Sequence, residues 1–185
     1  EKDIERERWP EFESRVEANT LRIADLLAEK QVRGTFYILG WLAERHPQLV
    51  RELHNRGHEI GSHSFWHRLI YSQTPAEFRD DVCRSRDILE DVIGDKVTSY
   101  RAPSFSVTRR SLWALDILVE EGFRIDSSIF PIRHDRYGIA GARRDIHAVD
   151  TIAGPLWEFP ASVVRFARLN LPISGGGYFR LYPFA

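Results

Sequence analysis

The chain is nearly without cysteine. Cys83 is the single one in 185 residues, so an intrachain disulfide and any multi-cysteine metal site are excluded. Cys83 falls within a helical pattern, where a packed or half-exposed thiol is the ordinary outcome. Net charge is also almost absent, at -1. The basic residues are scattered, and Arg109-Arg110 and Arg143-Arg144 are short pairs suited to solvated faces. No nucleic-acid partner is therefore expected. No apolar run is long enough for a transmembrane segment, and the acidic, arginine-rich start does not read as a signal peptide. These absences favour a cytoplasmic or membrane-associated location. What remains is an ordinary balance for one folded domain over residues 1–185, with 43% hydrophobic and 29% charged residues.

The most informative stretch is Gly57-His58-Glu59-Ile60-Gly61-Ser62-His63-Ser64-Phe65-Trp66-His67. It reads as a short strand entering a turn that carries His63 and His67, four apart. Imidazole is the commonest protein ligand for zinc, and this spacing lets both rings reach one ion. His54 and His58 have the same spacing and serve as a control. Leu49, Val50 and Leu53 mark a helix face that Gly57 closes, so His54 lies on the helix and His58 beyond it, and the two should point apart. Between His63 and His67 no glycine intervenes, and Gly61-Ser62 offers small residues where a ligand or backbone can approach. Two loop histidines beside Phe65 and Trp66 are the bland alternative.

Helical and strand patterns alternate along the chain. Phe12, Val16, Ile23 and Leu27 predict a first helix of about five turns. Residues 35–39 read as a strand, 47–56 as a helix and 58–62 as a strand. Thr74-Pro75-Ala76-Glu77 is a capping box with proline at the first helical position, followed by an apolar face at Phe78, Val82, Leu89 and Val92 that ends near Gly94. Residues 97–101 read as a strand, and Thr108 is expected to cap a helix with Leu112, Leu115, Leu118 and Val119 inward. Strands follow at 123–126 and 156–159. Pro131–Gly154 lacks periodicity and is expected to be a long ordered loop.

Repeated β-then-α units imply a parallel sheet, barrel or doubly wound. His63, Arg101, Asp126 and Glu158 each fall where a strand should end. In a (β/α) barrel such ends converge on one face, where active sites are built, which favours the barrel. Gly175-Gly176-Gly177 is not in the context of a phosphate loop and is expected to be a turn.

Two further motifs carry chemistry. Tyr100-Arg101-Ala102-Pro103-Ser104-Phe105 follows a strand, where Arg101 can pair with and orient a carboxylate and the next amides can face an oxyanion. A structural arginine is the alternative. Leu156-Trp157-Glu158-Phe159-Pro160 offers an aromatic wall of the kind that stacks on sugar rings, although Trp157 could equally be core.

Together and in order, these motifs resemble the NodB-homology polysaccharide deacetylases, carbohydrate esterase family 4. His63-Ser64-x-x-His67 is similar to the family's metal-binding motif, Arg101-x-Pro103 to the motif whose arginine orients the catalytic aspartate, and Trp157 falls near the hydrophobic side of the groove. RERWPEFESRVEANT, RAPSFSVTRRSLWALDIL, DSSIFPIRHDRYGI, WEFPAS and NLPISGGGYFRLYPFA resemble, more narrowly, the deacetylases of bacterial exosortase loci that act on exopolysaccharide.

The resemblance implies a distorted (β/α) barrel of the NodB type and removal of N-acetyl groups from N-acetylglucosamine residues of a polysaccharide. It implies a divalent metal, zinc by donor type, on His63 and His67. It gives Arg101 a catalytic role and puts Ser104, Phe105 and Trp157 against the substrate. The family's paired aspartates would lie before Glu1 and its general-acid histidine after Ala185. The expectation is therefore a barrel lacking its first and last strands in this chain, inactive as a piece. The rival reading is a non-catalytic sugar-binding relative of the same fold.

Overall fold

The computed structural model describes residues 6–167 and 169–173. Gly175–Gly177 lie outside them. The chain builds β1 (Thr35–Ile38), β2 (Glu59–Ser62), β3 (Ser99–Tyr100), β4 (Ile125–Asp126), β5 (His147–Thr151), β6 (Gly154–Glu158), β7 (Val163–Phe166) and β8 (Leu169–Pro172). Its helices are α1 (Val16–Glu29), α2 (Gly40–Arg45), α3 (Pro47–Asn55), α4 (Pro75–Ile93) and α5 (Trp113–Glu120). The first six strands form one sheet in the order β1-β2-β3-β4-β6-β5. Every pairing from β1 through β4 to β6 is parallel, as the alternating sequence pattern requires, and β5 adds antiparallel to β6. The fold is an α/β arc of parallel strands with helices packed on its outer face. Among the described residues no helix is long and apolar enough to cross a membrane.

α4 follows from its local sequence. Thr74 accepts the Glu77 amide, while the Glu77 carboxylate accepts the Thr74 amide at 2.8 Å. Both ends of the reciprocal cap are thus made, and Gly94 closes the helix at φ 71°. Phe78, Val82 and Leu89 are fully buried against the sheet. On that side Ser62 pairs with Ser85 at 2.9 Å, and the Tyr100 ring meets Phe78 edge-on at 5.9 Å. Residues in register with Ser62 and Tyr100 therefore face the helices.

Several expectations need correction. Pro131–Gly154 is not all loop: His147–Thr151 is β5, hairpinned to β6 by residues 152–153. The first helix begins at Val16, leaving Phe12 outside it, and Ile23 and Leu26 stay about half exposed because α1 packs only weakly, chiefly on α3. α5 begins at Trp113, so Thr108 does not cap it and Leu112 is exposed. The Ser111 hydroxyl instead closes a turn, accepting the Thr108 amide at 2.9 Å. His54 and His58 do part, with His58 accepting the Gly34 amide at 3.3 Å beyond the end of α3.

Candidate active site

The parallel register sorts the strand-end residues onto two faces. Ser62, Tyr100, Asp126 and Glu158 stand in one row on the helix-covered face. Tyr37, Gly61, Ser99, Ile125 and Trp157 stand on the opposite face. His63, Arg101, Ser127 and Phe159 extend that second face by one more step. The ladder continues to them through Arg101 N–H donating to Ser62 O, Ser127 N–H to Tyr100 O, and Phe159 N–H to Asp126 O.

The convergence of all four strand-end residues is therefore corrected. His63 and Arg101 share the cleft, whereas Asp126 and Glu158 are fully buried beneath the helices. Asp126 accepts the Ser128 hydroxyl, and Glu158 accepts the Ile129 amide at 3.0 Å. Burial pushes both carboxyls up; the Asp126 charge raises Glu158 further, whereas the interaction with Glu158 works against the rise at Asp126. Their remaining oxygens have no other partner among the described residues, and one proton shared between the two carboxyls satisfies both.

His63 and His67 come together as their spacing suggests. Their ring centroids are 5.1 Å apart in an edge arrangement. The Nδ1 of His63 is 2.7 Å from the Arg101 carbonyl oxygen. A carbonyl only accepts, so Nδ1 carries the proton and Nε2 keeps its lone pair, the arrangement usual for a metal-ligating histidine. Burial is the main force lowering the His63 pKa to about 4, so the ring is neutral at physiological pH. The donor type and fixed tautomer fit a divalent metal. Among the described residues no third histidine, cysteine or carboxylate completes a cluster.

The loop carrying the two rings is held by groups the sequence reading passed over. Asp81 on α4 is buried, and its carboxylate accepts the amides of Phe65 at 2.7 Å and Trp66 at 3.3 Å. Its one local signal is an acid standing on the apolar face of an amphipathic helix, which marks a buried carboxylate but not its partners. The N-terminus of α2 donates Gly40 N–H to Ser64 O at 3.0 Å, and Ser64 Oγ meets the Tyr100 hydroxyl at 2.7 Å. Four non-glycine residues of the site have left-handed backbone: Ser64 (φ 67°), His67 (φ 57°), Ser104 (φ 51°) and Phe105 (φ 51°). Such conformations cost on the order of 1–3 kcal/mol each and persist where surrounding contacts enforce them, typically at functional sites.

Arg101 is fixed on three sides. Nε donates to Ser127 O at 3.1 Å, Nη2 to Ser127 Oγ at 2.6 Å, and the guanidinium lies 4.4 Å from the Tyr37 ring centroid. The Tyr37 ring occupies the space over Gly61, where an added Cβ would come within 2.7 Å of it. Gly61 is thus small to admit Tyr37, not a ligand. Phe105 lies 5.6 Å from the guanidinium and Ser104 is exposed beside it. The amides of Phe105 and Ser106 are occupied by the Ala102 and Pro103 carbonyls. Trp157 is half exposed on the same face but one step deeper, in the row of Ser99 and Ile125. Phe159 stands in the row of Arg101, and its carbonyl accepts from Ser127 Oγ at 2.7 Å.

Residues 8–119 of this chain match the family described as polysaccharide deacetylase. The chain belongs to that family. Residues 127–185 also match a domain of unknown function (DUF3473). The chain is 31% identical over 98 residues to a peptidoglycan-N-acetylglucosamine deacetylase of Bacillus cereus, covering 52% of this chain and 36% of that one. It is 29% identical over 84 residues to the peptidoglycan-N-acetylmuramic acid deacetylase PdaA of Bacillus subtilis, covering 45% of this chain and 32% of PdaA. It thus spans about a third of the length of these relatives. Among solved structures, a Mycobacterium smegmatis protein assigned as a polysaccharide deacetylase superposes with TM-score 0.65 and 28% identity, covering 77% of this chain and 45% of that one. The PuuE allantoinase shares the fold with TM-score 0.62 at 20% identity, over 78% and 43% of the two chains.

Proposed function

We propose that the protein to which this chain belongs is a metal-dependent hydrolase. It removes acetyl groups from N-acetylglucosamine-type residues of a bacterial polysaccharide, specifically an exopolysaccharide assembled with the products of an exosortase locus. Residues 1–185 form its deacetylase domain. The carrying observation is the His63–His67 pair, with the His63 ring oriented by the Arg101 carbonyl.

His63, through Nε2, and His67 would hold the divalent cation, most simply zinc, which when bound supplies a Lewis acid at the amide carbonyl. The chain's own groups do the rest. Arg101, held by Ser127 and Tyr37, has guanidinium N–H groups left to orient a carboxylate that takes a proton from the attacking water. The Ser104 amide is the candidate donor to the developing oxyanion, because its two successors are occupied. Phe105, Phe159 and Trp157 offer apolar surface to a sugar ring.

The test is acetate release from N-acetylglucosamine oligosaccharides by the full-length protein. Chelation should abolish it and zinc restore it. Binding of the oligosaccharide without release, with zinc bound, would move the protein to the non-catalytic sugar-binding class.

A further inference from the structure

A cavity of about 620 Å³ lies outside the residues assigned above. Its walls come from the segments that follow β2, β3 and β4, at residues 71–73, 108–113 and 134–140. It therefore opens at the same end of the sheet as the histidine pair, yet includes none of His63, His67, Arg101, Ser104 or Phe105.

Its chemistry is cationic and aromatic. Arg109, Arg110 and Arg136 line it against one exposed acid, Asp135, so the wall keeps a net positive charge. Arg109 is tied to the rim by its bond to the Ala140 carbonyl at 3.3 Å. Among the described residues no side chain pairs with the guanidinium of Arg110 or Arg136, and both are exposed. Two unneutralised arginines in one concave wall are suited to a carboxylate, which each can bind in a planar, two-pronged manner.

The aromatic lining narrows the ligand further. Tyr71 is 40% exposed and Trp113 is half-buried in the wall, while His134 stacks on Tyr137 at 3.8 Å. Such surfaces suit the apolar face of a sugar ring. Gln73 completes the site. It is 8% exposed, and its amide nitrogen donates to the Arg68 and Leu69 carbonyls. Those bonds fix its orientation, and its Oε1 is buried without a donor. That oxygen is closed off from the cavity, so Gln73 shapes the inner wall and offers no hydrogen bond to a ligand.

We infer that this cavity is a second saccharide site, which takes a carboxylate-bearing sugar, a hexuronate unit of the polymer. The inference rests on the polysaccharide reading above and adds an acidic repeat to the substrate, anchored beside the deacetylation cleft.

The test is calorimetric titration of the full chain with tetragalacturonate, its methyl ester and inorganic phosphate at low salt. Saturable binding of the acid is expected, weakened roughly tenfold or more by esterification and by the Arg110→Ala/Arg136→Ala pair. The Arg110→Lys/Arg136→Lys pair should recover part of the loss. His67→Ala should leave binding unchanged, and thermal melts should show all variants folded. Equal binding of the ester, indifference to both arginine pairs, loss in His67→Ala, or phosphate binding as tightly as the sugar would each overturn the assignment. The titration reads no acetate, so it stands or falls separately from the deacetylase activity.

Discussion

Arg101 serves His63 with its main chain and the cleft with its side chain. The carbonyl is 2.7 Å from His63 Nδ1, while the guanidinium is held by Ser127 and stacked on Tyr37. Thirty-eight residues of sequence separate the two, and the parallel pairing of β2 with β3 brings them into one step of the ladder. The two roles of Arg101 are separable by mutation, because only one depends on the side chain.

In the full-length protein, Arg101→Ala is expected to lower turnover on the order of 10²-fold or more while metal content barely changes, since the carbonyl remains. His67→Ala should lose both metal and turnover. Acetate release and metal content by atomic emission, measured together, separate the roles. Equal metal loss in the two variants contradicts them.

Asp81→Ala removes the acceptor for the Phe65 and Trp66 amides. Hydrogen bonds to a buried charged group contribute roughly 1.5–3 kcal/mol, so unfolding free energy should fall by about that much. Because the same amides fix the His63–His67 loop, metal affinity should also fall about 10–100-fold. A stability loss with unchanged zinc competition would reduce Asp81 to a purely structural role.

His63 has its pKa lowered to about 4 from the ordinary 6.5, chiefly by burial. The unfolded chain then binds more protons than the folded one between these values, so stability falls with falling pH. In metal-free protein the His63 contribution is complete above pH 6.5 and is lost as pH drops toward 4, by roughly 3 kcal/mol in all. Urea titrations at successive pH values should show this loss and show it reduced in His63→Gln. An unchanged profile in that variant assigns the acid sensitivity elsewhere.

The Asp126–Glu158 pair has the opposite sign. Both carboxyls are raised in the folded state, so the fold binds more protons than the unfolded chain above the ordinary carboxylate range. Their contribution is full at low pH and lost as pH rises through the folded-state values. Glu158→Gln keeps an acceptor for the Ile129 amide and gives Asp126 a permanent donor. It should stabilise the protein at pH 8 by on the order of 1–3 kcal/mol and flatten the alkaline limb of the stability profile. A destabilised variant with an unchanged slope would show that the pair shares no proton.

The sequence by itself determined the elements whose signals are local. The capping box at Thr74 and Glu77, the apolar face of α4, the β-branched and aromatic run of β1, and the His63–His67 spacing are each written within a few residues, and each has its expected place in the structure. The tertiary structure decided what depends on register. Strand side chains alternate, so whether a strand-end residue enters the cleft or goes under the helices turns on a shift of one position. That shift sends Asp126 and Glu158 to the helix-covered face and brings Ser127 and Phe159 level with Arg101. β5 escaped the reading for a related reason: at a sheet edge its burial alternates only between half-buried and exposed, and its partner β6 alone fixes it as a strand. Asp81 and Tyr37 acquire their roles only because the helix and the first strand meet the histidine loop and Arg101 in space. Those contacts join residues too far apart in the chain for any local pattern to record.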